Sequence, residues 1–201
     1  MVVIILWMLG FALLHSLTAD KRVKTWIGDT FGERFRQGWY RLFYNIVSVV
    51  TLAPLFLHMA SISEVIYSVP GWLNPVFRVL QIIGLIGAAI SILQIDWMRF
   101  AGLRQLMAYF SGADLPLADE PLKTDGLYGF VRHPLYLFSL MLLWFSPTLT
   151  NTGLFFNIAA TGYFVFGSII EERRMIDYYG ETYREYRGKV PWLIPFIPSR
   201  G

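Results

Sequence analysis

Five long apolar stretches constrain this 201-residue chain more than any other feature. A helix needs roughly 20 mostly apolar residues to cross the hydrocarbon core of a bilayer, and about 17 to 25 are acceptable. Only 15% of the residues are charged, against about a quarter in soluble domains. The sequence therefore predicts an all-α, polytopic membrane protein of about five transmembrane helices, with residues 1–201 forming a single membrane domain. The predicted spans are Met1–Thr18, Leu42–Ala60, Val76–Ile95, Pro134–Thr150 and Gly153–Ile170.

The basic residues indicate how these spans are oriented. Of the 17 Lys and Arg residues, all except Arg78 fall on one side of the predicted membrane. Loops rich in Lys and Arg stay in the cytoplasm, so we expect the N-terminus outside and the C-terminal helix inside. Aromatic and basic residues alternate over Lys21–Tyr40, which predicts an amphipathic helix in the headgroup layer. Its role, and that of His15, is left open.

Several function classes are excluded or disfavoured by what the sequence lacks. There is no Cys, so disulfides, thiolate metal sites and cysteine nucleophiles are absent. His and carboxylate residues show no metal-ligand spacing, and we predict no metal site. The chain has no phosphate-binding loop, no dinucleotide-binding glycine pattern and no nucleophile elbow of a serine hydrolase. A net charge of +3 gives no indication of nucleic-acid binding.

The stretch from Asp125 to Tyr136 is the most informative for function. Pro134 suits the first position of a helix, which puts Arg132 and His133 at the helix N-terminus. Free N–H groups and the helix dipole favour an anion there. Tyr136 lies one turn beyond His133, on the same face. Two interpretations stay open: a pocket for an anionic ligand, or an interfacial anchor.

A second group of polar residues follows the fifth span. Glu171 and Glu172 lie at its mouth, where carboxylates are costly unless they are paired or face a polar cavity. They are able to pair with Arg132 or to bind a ligand cation. Glu171–Gly188 predicts a helix leaving the membrane, on which Tyr179, Tyr183 and Tyr186 share a face and can form an aromatic wall over a sulfonium cation. A solvated helix end and simple packing are the alternatives.

Together these residues resemble the isoprenylcysteine carboxyl methyltransferase-like superfamily. The resemblance covers about residues 121–198, and shorter matches such as Gly102-Leu103-Arg104-Gln105 are similar to the bacterial methanethiol S-methyltransferase branch. The matching elements, in order, are Gly126-x-Tyr128-x-x-x-Arg132-His133-Pro134-x-Tyr136, a helical hairpin, Glu171-Glu172 and Tyr179-Gly180-x-x-Tyr183-x-x-Tyr186.

The resemblance implies a membrane methyltransferase that uses S-adenosylmethionine, bound in a pocket facing the cytoplasm of a bacterial inner membrane. It implies that the cofactor site is lined by Tyr128, Arg132, His133, Tyr136, Glu171, Glu172 and Tyr183. Glu172 is the predicted proton acceptor, with Glu171 as the alternative, and Arg104 is predicted to steer the substrate.

The predicted methyl acceptor is a small thiol such as methanethiol, with membrane lipid as the surrounding partner. Carboxyl methylation of an isoprenylcysteine-like or other lipophilic acceptor is the first alternative. Two further alternatives are a nicotinamide-dependent sterol reductase, which needs about twice as many spans, and a non-enzymatic scaffold or maturation factor. The sequence does not predict the oligomeric state.

Overall fold

The computed structural model describes residues 2–197, most of which lie in helices. Within that range the elements are α1 Val2–Ala19, α2 Lys21–Phe31, α3 Glu33–Ser61, β1 Val65–Ser68, α4 Asn74–Leu93, α5 Trp97–Ala101, α6 Leu103–Ser111, α7 Leu127–Phe130, α8 Pro134–Trp144, β2 Thr148–Thr150, α9 Asn151–Tyr179 and α10 Glu181–Lys189. Met1, Arg200 and the last residue of the predicted cofactor-binding part, Pro198, lie outside the described residues.

Within residues 2–197, four helices are long and apolar enough to cross a membrane: α1, α3, α4 and α9. The prediction of a helical membrane protein is therefore confirmed. The fourth predicted span, Pro134–Thr150, is not one continuous helix. It contains the 11-residue helix α8 and then the short strand β2. Phe145, Ser146 and Pro147 separate these two elements, and Pro147 cannot supply the N–H that would continue the helix.

The chain divides into two compact units. These units do not test the prediction of a single membrane domain, which stays a prediction. The first unit contains residues 1–62 and 96–120, and the second contains residues 63–95 and 121–201. In the first, α3 packs on α1, α2 and α6. Gly38 allows α3 to approach α6, since a Cβ atom there would lie 2.6 Å from the Cβ of Tyr109.

The predicted amphipathic helix over Lys21–Tyr40 is interrupted in the structure. Asp20 caps α2 by accepting a hydrogen bond from the Arg22 amide at 2.7 Å, and α2 ends at Gly32, whose φ is +92°. That left-handed region favours glycine and turns the chain. Residues 33–40 then belong to the same helix as the second predicted span, so only α2 forms a separate amphipathic segment.

In the second unit, α4 and α8 pack tightly and α9 runs beside α8. Gly84 permits the close approach, because a Cβ atom there would lie 2.6 Å from the Leu142 amide nitrogen. Asn157 donates a hydrogen bond to the Leu143 carbonyl at 3.1 Å and so links α9 to α8. The antiparallel strands β1 and β2, which the sequence did not predict, pair Val65 with Thr150.

Candidate active site

The junction between α7 and α8 is the backbone frame of the site. Gly126, with φ at +60°, starts α7, and Gln94 of α4 accepts a hydrogen bond from the Leu127 amide at 2.9 Å. Val131 then adopts an extended conformation and is fully buried. The next two amides leave the helical pattern: that of Arg132 donates to the carbonyl of residue 191 at 2.9 Å, and that of residue 133 to the carbonyl of residue 192. The segment after α10 is thereby fixed beside the start of α8.

Arg132 is buried and makes three hydrogen bonds to protein partners. Its side chain is 3% exposed, and its Nε donates to Glu172 Oε1 at 2.6 Å. Its Nη1 donates to the carbonyls of Arg187 and Val190 at 2.9 Å and 2.6 Å. A guanidinium presents several donors in a rigid fork, and here that fork joins α8, α9 and α10. Arg132 thus fixes the geometry of Glu172.

The two adjacent carboxylates of α9 have different surroundings. Glu172 is 12% exposed and lies close to three basic side chains: Arg132, His133 at 3.3 Å and Arg187 at 3.7 Å. Glu171 is 42% exposed; its Oε2 accepts a hydrogen bond from the Tyr136 hydroxyl at 3.0 Å and lies 3.6 Å from His133 Nδ1. Glu172 is therefore committed to the ion-pair network, while Glu171 keeps an open side for a ligand.

An aromatic stack stands beside these carboxylates. The rings of His133 and Tyr136 are almost parallel, with centroids 5.4 Å apart. The ring of Phe164, from α9, also stacks on that of Tyr136, with centroids 4.9 Å apart. The predicted i, i+3 relation of His133 and Tyr136 thus becomes a face-to-face stack. Phe164 was missed, because one phenylalanine in an apolar span carries no distinguishing signal.

The tyrosines of α7 and α10 form a more buried group. Tyr183 and Tyr186 are 3% and 7% exposed and pack with Val190, and the Tyr186 hydroxyl donates to the Tyr128 carbonyl at 2.5 Å. Burial raises the pKa of Tyr128 to about 12, with the Glu171 charge adding to the effect. Burial likewise raises the pKa of Tyr183 and of Tyr186. These hydroxyls therefore remain protonated donors at neutral pH.

The structure brings five of the eight predicted site residues together in the second unit, within ion-pair, hydrogen-bond or ring-stacking distance: Arg132, His133, Tyr136, Glu171 and Glu172. Tyr128 is linked to them indirectly, because its carbonyl accepts from Tyr186, which packs with Val190, a hydrogen-bond partner of Arg132. Tyr183 lies in the packed tyrosine cluster. Arg104 belongs to the first unit, where its Nε lies 2.5 Å from Asp96 Oδ2.

Arg187 is the polar residue that sequence reasoning passed over. Its Nε lies 3.7 Å from Glu172 Oε2, and its carbonyl accepts from Arg132. On α10 it follows Tyr183 by four residues, and residues at that spacing share a helix face. The sequence alone therefore predicts that Arg187 lies on the same side of the helix as Tyr183. Within a tail rich in basic residues, that spacing did not distinguish it.

Comparisons with known proteins identify the relatives of this chain. A family profile described as "NnrU protein" matches residues 3–183. A methanethiol S-methyltransferase of Crocosphaera subtropica is 32% identical over 192 residues, covering 94% of this chain and 72% of that protein. Methanethiol S-methyltransferase 1 of Bradyrhizobium diazoefficiens is 32% identical over 200 residues, covering 97% and 67%.

A more distant relative matches only part of the chain. The protein-S-isoprenylcysteine O-methyltransferase of Schizosaccharomyces pombe is 37% identical over 83 residues, which cover 40% of this chain and 35% of that protein. No solved structure gives a significant match. The resemblance to membrane methyltransferases, predicted from the sequence, is confirmed by these relatives.

Proposed function

The chain belongs to the NnrU protein family, and from this membership and the surroundings of Glu171 we propose that it is a membrane methyltransferase acting on a small thiol. The observation that carries the proposal is a half-exposed carboxylate, Glu171, held by the Tyr136 hydroxyl beside a stack of aromatic rings. Relatives similar over nearly the whole chain bear the name methanethiol S-methyltransferase, which supports a thiol as the methyl acceptor.

The residues around Glu171 fit S-adenosylmethionine as the methyl donor. A cation is attracted by the negative charge of a carboxylate and by the face of an aromatic ring. Glu171 supplies the carboxylate and Tyr136 the ring. When bound, this cofactor supplies an electrophilic methyl group on a sulfonium cation. We propose that Glu171, Tyr136 and His133 contact it, with Tyr128 and Tyr183 completing the wall.

Glu171 and Glu172 have separate roles in this proposal. A thiol has a pKa of about 8.5, so only a few per cent is ionised at neutral pH and the nucleophilic thiolate forms by losing a proton. Glu171 is the open carboxylate that takes this proton. Glu172, surrounded by three basic side chains, is a positioning residue that orients His133 and the start of α8 together with Arg132.

Orientation in the membrane follows from the basic residues. We propose that the N-terminus lies outside and that the site faces the cytoplasm of a bacterial inner membrane. This requires an odd number of crossings, and residues 134–150 supply the fifth. Helix α8 spans about 16 Å, and the six residues 145–150 that follow it, three of them in β2, add at most about 20 Å, against a core of about 30 Å. Pairing of β2 with β1 satisfies the extended backbone.

Binding of the methyl donor is the first test. The purified chain in a neutral detergent is titrated with labelled S-adenosylmethionine, and we expect saturable binding. Glu171→Gln keeps the shape of the side chain but removes its charge, so it should weaken binding at least about tenfold. Glu181→Gln, in a solvated pair with Arg184, is the matched control and should bind like the wild type. Absence of binding by the wild type would refute the proposal.

The methyl acceptor is tested separately. Incubation with S-adenosylmethionine and methanethiol should release dimethyl sulfide into the headspace, and Glu171→Gln should lower the rate. A second candidate, carboxyl methylation of a lipophilic acceptor, is favoured by the 83-residue match to an isoprenylcysteine O-methyltransferase. Methylation of a prenylcysteine without any volatile thioether would decide for that candidate.

A further inference from the structure

The first unit contains a cavity of about 320 Å³ that the methyl-transfer site does not use. It lies among α2, α3, α5, α6 and the segment that follows α6, all within that unit. Its volume is at the small end of the range of about 300–1,000 Å³ for ligand pockets. The residues that determine its chemistry are Lys24, Arg36, Arg41, Arg99, Gln105 and Leu117.

The charge around this cavity is strongly positive. Four of its lining residues are basic, and the described residues that line it include no Asp or Glu. Arg36 is paired with Glu33, and Arg99 lies 3.4 Å from Glu120. The Nε of Arg41 donates to the Phe100 carbonyl at 2.9 Å, and the charges of Arg99 and Glu120 both act on its guanidinium. Such an excess of positive charge is stabilised by an anion.

Gln105 adds a second and different requirement. Its Nε2 donates to the Arg99 carbonyl at 3.1 Å, which fixes the orientation of the amide. Its Oε1 is buried and has no hydrogen-bond partner in the part of the chain that the structure describes. A buried acceptor without a donor costs free energy, so the cavity favours a ligand that brings a hydroxyl donor as well as an anion.

The neighbouring helix indicates where such a ligand comes from. Trp26 and Phe31 of α2 are 61% and 60% exposed, on a helix whose other residues are largely charged or polar. An amphipathic helix of this kind lies in the headgroup layer. Leu117 contributes an apolar wall to the cavity, which suits the start of an acyl chain.

We propose that this cavity binds a phosphate ester whose alcohol part carries a hydroxyl group, as in the headgroup of phosphatidylglycerol. Arg41 and Arg99 contact the phosphate oxygens, and the ligand hydroxyl donates to Gln105 Oε1. The site is independent of the methyl-transfer function.

Binding of short-chain lipids to the full chain in neutral detergent tests the proposal. We expect dioctanoyl phosphatidylglycerol to bind about tenfold more tightly than dioctanoyl phosphatidylcholine, because the zwitterionic headgroup has no net charge. Arg41→Gln should weaken phosphatidylglycerol binding about tenfold. Arg22→Gln, a basic residue on α2 that does not line the cavity, is the matched control and should change it less than about twofold.

A further lipid isolates the hydroxyl. Phosphatidylmethanol has the same phosphodiester charge but no free hydroxyl, so it should bind about fivefold more weakly than phosphatidylglycerol. Gln105→Leu should abolish that difference. Should Arg41→Gln unfold, as judged by tryptophan fluorescence, Arg99→Gln provides the second test of the cations. Equal affinity for phosphatidylglycerol and phosphatidylcholine, or wild-type affinity in both cation variants, would overturn the proposal.

Glycerol 3-phosphate distinguishes the two sources of the ligand. If it binds as tightly as phosphatidylglycerol and competes with it, a soluble phosphate ester is the ligand and the chemistry of the site stands. If it neither binds nor competes while phosphatidylglycerol does, the ligand is the membrane lipid.

Discussion

Two clusters of charged side chains, one in each unit, differ in how their charges are compensated. In the second unit, Arg132 and Arg187 both lie on Glu172, and His133 lies between Glu172 and Glu171. In the first unit, the cavity beside Arg41 is lined by four basic residues, while the carboxylates that act on them, Glu33 and Glu120, do not line it. A compensated cluster fixes geometry from within, whereas a cavity lined mainly by positive charge favours an anionic ligand. The first arrangement suits a catalytic frame and the second a binding site.

Removal of Glu172 should have the largest effect. Glu172→Ala leaves the buried charge of Arg132 uncompensated, and breaking such a pair costs about 3–5 kcal/mol. We expect a loss of that size in unfolding followed by tryptophan fluorescence, together with lost S-adenosylmethionine binding. Glu181→Ala, which breaks an exposed pair, should change stability by less than about 1 kcal/mol. Equal effects of the two variants would mean that the compensated cluster does not hold the second unit together.

Helix packing offers the next test of the difference between the units. Gly84→Ala drives a Cβ atom into the backbone of α8, and overpacking of this kind costs about 1–3 kcal/mol. Gly10→Ala in α1 meets nothing within 4 Å and should be neutral or slightly stabilising, as alanine favours a helix. Unfolding in a denaturing detergent series measures both. A neutral Gly84→Ala would contradict the tight packing of α4 on α8.

Removing one tyrosine hydroxyl from each unit tests which unit contacts the cofactor. Tyr136→Phe keeps the ring stack but removes the hydrogen bond to Glu171, so S-adenosylmethionine affinity should fall by about fivefold, or about 1 kcal/mol. Tyr44→Phe removes a hydrogen bond to His15 in the first unit and should lower stability without changing that affinity. Calorimetric titration of both variants makes the comparison. A larger affinity loss in Tyr44→Phe would assign cofactor contacts to the first unit.

Arg104 should give the smallest effect. Its side chain is 51% exposed, so loss of its pair with Asp96 in Arg104→Gln should cost less than about 1 kcal/mol. If Arg104 steers a thiolate, kcat/KM for the thiol should fall a few-fold at low salt and recover toward wild type as salt screens the field. S-adenosylmethionine affinity should be unchanged. A wild-type kcat/KM at every salt concentration would remove Arg104 from the mechanism.

The sequence predicts helices better than it predicts their ends. Hydropathy identified α1, α3, α4 and α9, because apolar length is a local property of the chain. It merged α8 and β2 into one predicted span, since a hydropathy average does not register that Pro147 interrupts the helix. The break at Gly32 was missed for a similar reason: the aromatic and basic pattern continues through it.

Site residues were predictable where their spacing is local and not where it depends on tertiary contacts. His133 and Tyr136 were expected on one helix face, and their rings stack. That Arg132 uses its donors on Glu172 and on carbonyls of α10 and beyond depends on how α9 and α10 return to the start of α8. No periodicity in the sequence predicts that α9 and α10 pack back against the start of α8.

The partners of Arg132 also impose an order in time. Glu172 and Val190 follow Arg132 by 40 and 58 residues. At roughly 5–20 residues per second, Val190 is synthesised about 3–12 s after Arg132. The ion-pair partner Glu172 is itself synthesised only about 2–8 s after Arg132, and until then the guanidinium is compensated by water alone. The site is therefore completed late in biogenesis, after α10 has been synthesised.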